Sequence, residues 1–577
     1  MTIFTRGRIG ETLNSGRKLL SKSLASQILS LCRSIAGSRS IVGACVCGSY
    51  VLGQKEAPLE VLLIIDGFSP GLMNQFRFIG SHPLLIFALD KRFFERDVEQ
   101  GFLGEAFAIQ LLFPYIPVVN YNYLKTYEIK LKRRIILECM ESLVLDFPEL
   151  SYELQIRPEY FLYEALLSRV RLFPPMLYTV SNFLRSDLKN ANVQSAMEGF
   201  CEALKALESE GIVEKPDGCF KISKDFINNV KSKKVRFTSF LKISQKTLFM
   251  HLLAIFPNIF KFLWQSRAIL RKFLSFETLN LELMPSIEDP KTYLLVPTAN
   301  GLAPLSSRFN VEAFARKVLS SESGAEVEIK ELGGILNDVY LVSITVDGEV
   351  RRVVVKSFKN WSNFKWFPIA IWTIGTVKFA FLGKVRLERE YAINRFLHSK
   401  GFAVPRMLGI YPEERLIIME YLEGETLDKL VKRILEAGNE NDVEADLKIV
   451  YKVGEILAKV HALNIALGDT KPENILAGKD GRVCILDLEQ ASRNGDKAWD
   501  VAEFIYYTGH YVPLFRGTKM VELVAETFIK GYLAAGGDPK FVKAAGKTKY
   551  TKVFSVFVFP HVISALSNLC KKVELLG

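Results

Sequence analysis

Most of the residues able to do chemistry in concert lie in the second half of the 577-residue chain. Asp469-Thr470-Lys471-Pro472-Glu473-Asn474 sets a carboxylate, an ammonium and an amide within one short loop, and Asp487 follows 13 residues beyond Asn474. A carboxylate at 469 can receive or orient a hydroxyl proton, while the Asn474 amide and the strand-end Asp487 offer oxygen ligands of the kind Mg²⁺ prefers. Upstream, Val353-Val354-Val355-Lys356 puts a lysine at the end of a buried-looking strand, where it needs an anionic partner. Gly333-Gly334-Ile335-Leu336-Asn337 precedes the apolar run LVSITV, and glycines between two strands let backbone N–H groups close over phosphates. Glu390, Ile393 and Leu397 share one helix face, so Glu390 can point inward at Lys356; Glu388 is the less favoured acid on that helix. Residue types in this order point to phosphate transfer from a nucleotide to a hydroxyl.

These groups need an α/β scaffold to hold them, and the composition allows one. The chain is 49% hydrophobic and 24% charged, which excludes disorder as the default, and its length allows about three to five domains. Eight cysteines with no CxxC, and only Cys45-x-Cys47 closely spaced, give neither a disulfide framework nor a zinc set. A reduced, cytoplasmic protein is expected. The six histidines lack metal-ligand spacing and read as structural. The N-terminus is basic without a sustained apolar run, so secretion is not expected. Leu248–Trp264 and Trp366–Gly383 come nearest to membrane spans, but each is interrupted by lysine, histidine or proline.

Five stretches follow from the patterning: residues 30–130, short β-rich runs alternating with helices; 131–190, helical; 191–230, a helix leading into a hairpin turned by Pro216-Asp217-Gly218; 231–284, a basic aromatic helical linker; and 300–577, a second α/β domain. The fold class expected is therefore multidomain, α/β and α+β.

Residues 300–577 resemble the protein-kinase-like superfamily, carried by the glycine turn, strand lysine, helix glutamate, catalytic loop and metal aspartate quoted above. The resemblance implies a bilobal domain that uses ATP and Mg²⁺. Lys356, Glu390 and the Gly333, Gly334 and Asn337 turn would grip the nucleotide; Asp469 and Lys471 would act at the transferring phosphate; Asn474 and Asp487 would hold metal. Leu467-Gly468 stands where His-Arg would precede the catalytic aspartate, and Asp487-Leu488-Glu489 replaces Asp-Phe-Gly. Only 13 residues separate Asp487 from Asp500, too few for a long activation loop. That shortening is similar to the compact RIO-like and tRNA-modification-associated kinases of archaea, to lipopolysaccharide kinases, and to choline and aminoglycoside kinases. Gly-Gly-x-x-Asn337 leans toward the small-molecule kinases and Lys471-Pro-Glu-Asn toward the Ser/Thr protein kinases.

Near the N-terminus, Gly48-Ser49-Tyr50-Val51-Leu52-Gly53 resembles the opening of the nucleotidyltransferase superfamily, in which a D-x-D on the next strand binds two metals. Here that strand carries Glu60 and Leu62, and leucine cannot ligate metal. A silent nucleotidyltransferase-like domain is expected, with a live variant using Glu60, Asp66 and Asp90 as the alternative. The helix and hairpin of 191–230 resemble a winged-helix module. Four glutamates against one lysine on Ser195–Gly211 argue against nucleic acid as its partner.

The net charge of +12 is local. Phe226–Phe276 holds ten Lys/Arg, Val350–Leu387 eight and Pro539–Val573 seven, all without an acid. The first of these also carries ten Phe/Trp; a buried connecting helix with a basic exposed face is the leading expectation, with an anionic membrane surface next and nucleic acid after it. The 33 residues between Lys356 and Glu390 exceed what a strand-to-helix connection needs; packing within the protein is their expected use. The leading expectation is an ATP- and Mg-dependent Ser/Thr protein kinase of the compact atypical type, cytoplasmic or peripheral at a membrane. The alternatives are a small-molecule or lipid-headgroup kinase and a catalytically silent nucleotide-gated scaffold.

Overall fold

The computed structural model describes residues 20–232 and 287–575, apart from 55–56, 70, 81, 173–175, 186, 217, 308–325, 333–336, 347–348, 360–379, 381, 438–439 and 514–516. Gly333, Gly334, nearly all of the basic aromatic stretch and most of the insertion after Lys356 therefore lie outside the described residues. The chain divides into two units: Met1–Asp146 with Gln155–Leu294, and Phe147–Leu154 with Leu295–Gly577.

In the N-terminal unit, α1 (Lys22–Ala36), capped by Ser21, leads into β1 (Ile41–Cys47), β2 (Leu59–Ile65), β3 (Leu72–Ile79) and β4 (His82–Asp90). With β5 (Ile116–Val119) they form a mixed sheet in the order β3-β4-β2-β1-β5, in which β2 and β4 run parallel. Continuous apolar runs such as Val61–Ile65 form the inner strands because both faces of the sheet are covered. Helix α2 (Lys91–Gln100) is capped by Asp90, and the 26-residue α3 (Tyr121–Asp146) follows β5. Next come α4 (Glu159–Leu172), α5 (Met176–Phe183) and α6 (Lys189–Ser209). The buried Lys132 ammonium joins α3 to α6, 2.6 Å from Glu128 and 2.8 Å from the Ala196 carbonyl. A short hairpin of β6 (Val213–Glu214) and β7 (Lys221–Ile222) precedes α7 (Lys224–Ser232).

In the C-terminal unit, β10 (Glu326–Glu331), β11 (Asn337–Val346), β12 (Glu349–Phe358), β13 (Met407–Tyr411) and β14 (Leu416–Glu420) form an antiparallel sheet; the hairpin of β8 (Leu294–Thr298) and β9 (Gly301–Pro304) comes before it in the chain. The order is β10-β11-β12-β14-β13, so β12 is central, and the β-branched run ending in Lys356 pairs with Val339 on one side and Ile417 on the other. Helix α8 (Gly383–Ser399) packs on β12 and β13. The remainder is mostly helical, built on α9 (Leu427–Glu436), α10 (Glu444–Ala462), α11 (Lys497–His510), α12 (Lys519–Ala534), α13 (Pro539–Ala545), α14 (Thr548–Phe554) and α15 (Pro560–Lys571). A large apolar core joins them, with Phe504 and Phe528 stacked at 4.1 Å. The small hairpin of β15 (Ile475–Ala477) and β16 (Val483–Ile485) lies in the chain between the Asp469–Asn474 loop and Asp487. Among the described residues no helix is long and apolar enough to cross a membrane.

Candidate active site

Lys356 lies at the centre of a buried ionic cluster. Being on the central strand, its side chain is 5% exposed, and its ammonium reaches three carboxylates: Asp487 at 2.9 Å, Glu390 at 3.2 Å and Glu489 at 3.2 Å. Burial alone would lower the lysine, but the carboxylates outweigh it and hold the ammonium charged. Burial likewise works to raise Asp487, yet Lys356 and its hydrogen bond win and hold that carboxyl at about 2. Glu390, fully buried on α8, is pushed up to about 8 by burial, with Lys356 opposing and Asp487 adding to the rise. Its other contact is the Leu488 N–H, which donates to Oε2 at 2.9 Å.

Glu489 is a member of this cluster that sequence reasoning missed. It stands where the family motif has glycine, is 3% exposed, and accepts from the Asn337 side-chain amide and from Arg386 at 3.4 Å. Arg386, fully buried on α8, also donates to the Asn337 side-chain oxygen. Asn337 is thus engaged by Glu489 and Arg386 at the first residue of β11. The signal available in sequence was an acid in place of a glycine two residues after Asp487. It was visible only as a departure. Gln490 adds a further contact: its Oε1 accepts from the Ala380 N–H at 2.8 Å, holding the end of the insertion.

The second group is the loop around Asp469. Lys471 Nζ lies 2.8 Å from Asp469 Oδ2, and the Asn474 amide donates to the Asp469 carbonyl at 3.1 Å. Burial raises the Asp469 carboxyl, with Lys471 opposing and the Asp487 charge adding to the rise, so the two aspartates feel each other's field. Helix α11 fixes the loop. The buried Asp500 accepts from the Leu467 N–H at 2.6 Å and the Gly468 N–H at 2.8 Å, and His461 Nε2 lies 3.0 Å from it. Glu503, one turn on, accepts from the Thr470 N–H at 2.7 Å. His461 also contacts the Tyr532 hydroxyl at 2.8 Å, consistent with a structural histidine.

Gly468 is required by geometry. Its φ is +73°, and a Cβ there would sit 2.6 Å from the Gln490 carbonyl oxygen. Gly468→Ala is expected to destabilise the C-terminal unit by about 2–4 kcal/mol, from backbone strain and the clash, read as a lower urea midpoint.

The raised Glu390 carboxyl makes a second prediction. Its folded value lies above the ordinary 4.5, so its stabilising contribution is complete below that value and is lost as pH rises through about 8. Wild-type stability should fall between pH 5 and 8.5, and Glu390→Gln should flatten that slope. Urea midpoints across the range decide it; an unchanged slope would refute the assignment.

In the N-terminal unit the three carboxylates named from sequence do not form such a cluster. Glu60 sits at the start of β2, opposite Leu85 of β4, with its carboxyl against Gly48 and pushed up to about 7 by burial. Asp66 follows the far end of β2, about 20 Å away at the strand's rise per residue. Asp90 spends both oxygens on backbone, accepting from the Phe68 N–H at 2.8 Å and the Arg92 N–H at 2.9 Å as the cap of α2. The three carboxylates therefore do not converge on a metal, which corrects the alternative that had them acting together. Among the described residues no group of three or more His, Cys, Asp or Glu could hold a metal ion.

Comparison with known proteins fits this geometry. The family of phosphotransferase enzymes (APH) matches residues 328–468. The KEOPS complex subunit Bud32 of Pyrococcus abyssi is 31% identical over 162 residues, 28% of this chain and 68% of that protein. This chain belongs to the protein-kinase-like superfamily. The kinase unit is also similar to the probable serine/threonine-protein kinase PknB of Lactococcus lactis, at 25% identity over 186 residues, 32% of this chain and 26% of that protein. It is 26% identical over 153 residues to the probable bifunctional tRNA threonylcarbamoyladenosine biosynthesis protein of Methanocaldococcus jannaschii, 26% of this chain and 25% of that protein. The match thus spans about a quarter of each of these two relatives. As a member of a phosphate-transferring family, the kinase unit is an enzyme, and the silent scaffold gives way to a phosphotransferase.

Proposed function

We propose that the kinase unit transfers the γ-phosphate of ATP, with Mg²⁺, to a serine or threonine hydroxyl of a protein. The observation that carries this reading is the meeting of Lys356, Glu390 and Asp487 in one buried cluster whose field reaches the Asp469–Lys471 pair. Asp469 orients the acceptor hydroxyl and takes its proton, a role its upward shift by burial favours; Lys471, held 2.8 Å away, meets the transferring phosphate and opposes that shift. Lys356 turns from its carboxylates to the nucleotide phosphates while Glu390 keeps it in place. Gly333, Gly334 and Asn337 are the residues assigned to the nucleotide phosphates from sequence, the two glycines lying outside the described residues.

The donor set suits Mg²⁺. Asp487 is the most exposed member of the Lys356 cluster, its side chain 24% accessible, and Asn474 commits its NH₂ to the Asp469 carbonyl, leaving the amide oxygen for a cation. When bound, Mg²⁺ supplies neutralisation of charge on the phosphate oxygens. Two protein oxygens suffice because phosphates and water complete the shell.

The domain outline we propose keeps 300–577 as the bilobal kinase domain, with 30–130 as a silent nucleotidyltransferase-like domain and 191–230 as a winged-helix-like module. The separation of Glu60, Asp66 and Asp90 supports silence. A second reading, a small-molecule acceptor, is favoured by the phosphotransferase-family match together with Gly-Gly-x-x-Asn337. Labelled ATP and Mg²⁺ with cell extract, the products separated into protein, lipid and small-molecule fractions, decides between them. Label on serine or threonine of protein is expected; label confined to a small molecule would hand the site to the second reading.

A further inference from the structure

The helix that presents Glu390 to Lys356 is held by more than the sheet beneath it. Residues 147–154 belong to the C-terminal unit although their neighbours in sequence on both sides do not. Within that segment, the 3-10 turn Leu150–Tyr152 packs against α8, and the Phe147 ring lies 3.9 Å from the Lys384 ammonium in the helix's first turn. Arg493 completes the contact. Its guanidinium lies 4.3 Å from the Tyr152 ring and 4.6 Å from the ring of Phe396 on α8, while Nε is 3.4 Å from the Glu149 carboxylate. Arg493 is half-buried and comes six residues after Asp487, with its backbone paired to Ile465 just before the Asp469 loop. One planar cation, carried by the chain that follows Asp487, therefore touches both the segment and the helix that bears Glu390.

We infer that Arg493 is a positioning residue for phosphate transfer: sandwiched between Tyr152 and Phe396, it clamps residues 147–154 to α8 and so fixes Glu390 against Lys356. The inference rests on the kinase reading for its effect on turnover, but its effect on α8 does not. A guanidinium suits the place because a flat cation can lie between two rings and still face a carboxylate, which a lysine ammonium does less well. Helix α8 has an independent reason to move without the clamp. Its N-cap, Leu382, offers no side-chain hydrogen bond, and it begins directly after the insertion.

The test uses the full-length chain with Arg493→Ala, Arg493→Lys, Tyr152→Ala and Tyr152→Leu, reading amide hydrogen exchange across Leu387–Leu397 and the kcat and KM for ATP. Arg493→Ala should speed exchange in α8 by about tenfold or more while α10 and α12 keep wild-type protection. It should lower kcat by a similar factor with KM for ATP changed less, and Arg493→Lys should recover part of both. Arg493→Ala and Tyr152→Ala together should be no worse than the more damaging of the two alone, since both break one clamp. Unchanged exchange in α8 of a folded Arg493→Ala protein would overturn the inference, as would multiplicative losses in the double variant. Should Arg493→Ala not fold, Tyr152→Leu, which keeps an apolar side chain but removes the ring, carries the same expectation. If wild type transfers no phosphate, the kinase reading fails by itself, and the exchange measurement still decides the clamp.

Discussion

Asp487→Ala is expected to lower phosphate transfer by about a thousandfold or more while leaving the chain folded. The reason lies in how Asp487 is shared. In the function proposed it would be the carboxylate that holds metal on the phosphates, and alanine has nothing to replace it. In the fold it is one of three acids around Lys356, and Glu390 and Glu489 remain at 3.2 Å when it goes. The ammonium is not orphaned, so the stability loss should stay near about 1 kcal/mol, well below that of breaking an isolated buried pair. What loss there is depends on pH with a definite sign. Asp487 is held at about 2, below its ordinary 3.8, so its contribution is present above 3.8 and disappears as pH falls through about 2. Turnover and urea midpoints on the same preparations check both halves, and near-wild-type activity would remove Asp487 from the mechanism.

Lys356→Met is expected to do the reverse in its balance: a large stability loss together with lost transfer. Methionine matches the stem but leaves Glu390, Asp487 and Glu489 facing one another, with Arg386 near Glu489 as the cation left in the cluster. Removing one partner of a buried ionic group costs about 3–5 kcal/mol, and here Arg386 and the more distant Lys471 are left to answer for three acids. The orphaned carboxyls can recover only by taking up protons. Their penalty should shrink as pH falls and grow as pH rises. A variant stable at pH 5.5 and largely unfolded at pH 8.5, by circular dichroism in urea, is the expected pattern. Equal stability loss at both pH values would show that the cluster is not electrostatic in origin.

The two substitutions also show what the residues announced in advance and what they could not. Lys356 and Glu390 were legible because each sits in a local pattern: a β-branched run ending in a cation, and a helix face repeating at i, i+3 and i+7. The spacing from Asp469 to Asn474 and on to Asp487 is also local, a loop and one small hairpin. The partners that lock these groups come from far along the chain and leave no periodicity. Glu489 reads as a departure from a motif until Arg386 and Asn337, 103 and 152 residues earlier, are seen around it. Asp500 and Glu503 look like acids on an amphipathic helix until their bonds to the backbone of residues 467–470 appear. In the N-terminal unit the separation of Glu60 from Asp66 follows from their spacing along one strand, but the pairing that sets Asp90 beside Ile65 has no local signal. Nor does anything local in 147–154 separate it from the helices on either side.

Movement of a terminal phosphate at the Lys356–Asp487 cluster is what the proposed function depends on. It is read most directly by setting γ-labelled beside α-labelled ATP, with Mg²⁺ and cell extract, on wild type and Asp487→Ala. The expected product carries label from the γ position and none from the α position, and loses that label in the variant. Label arriving from the α position, or γ-label that survives Asp487→Ala, would contradict phosphate transfer at this cluster.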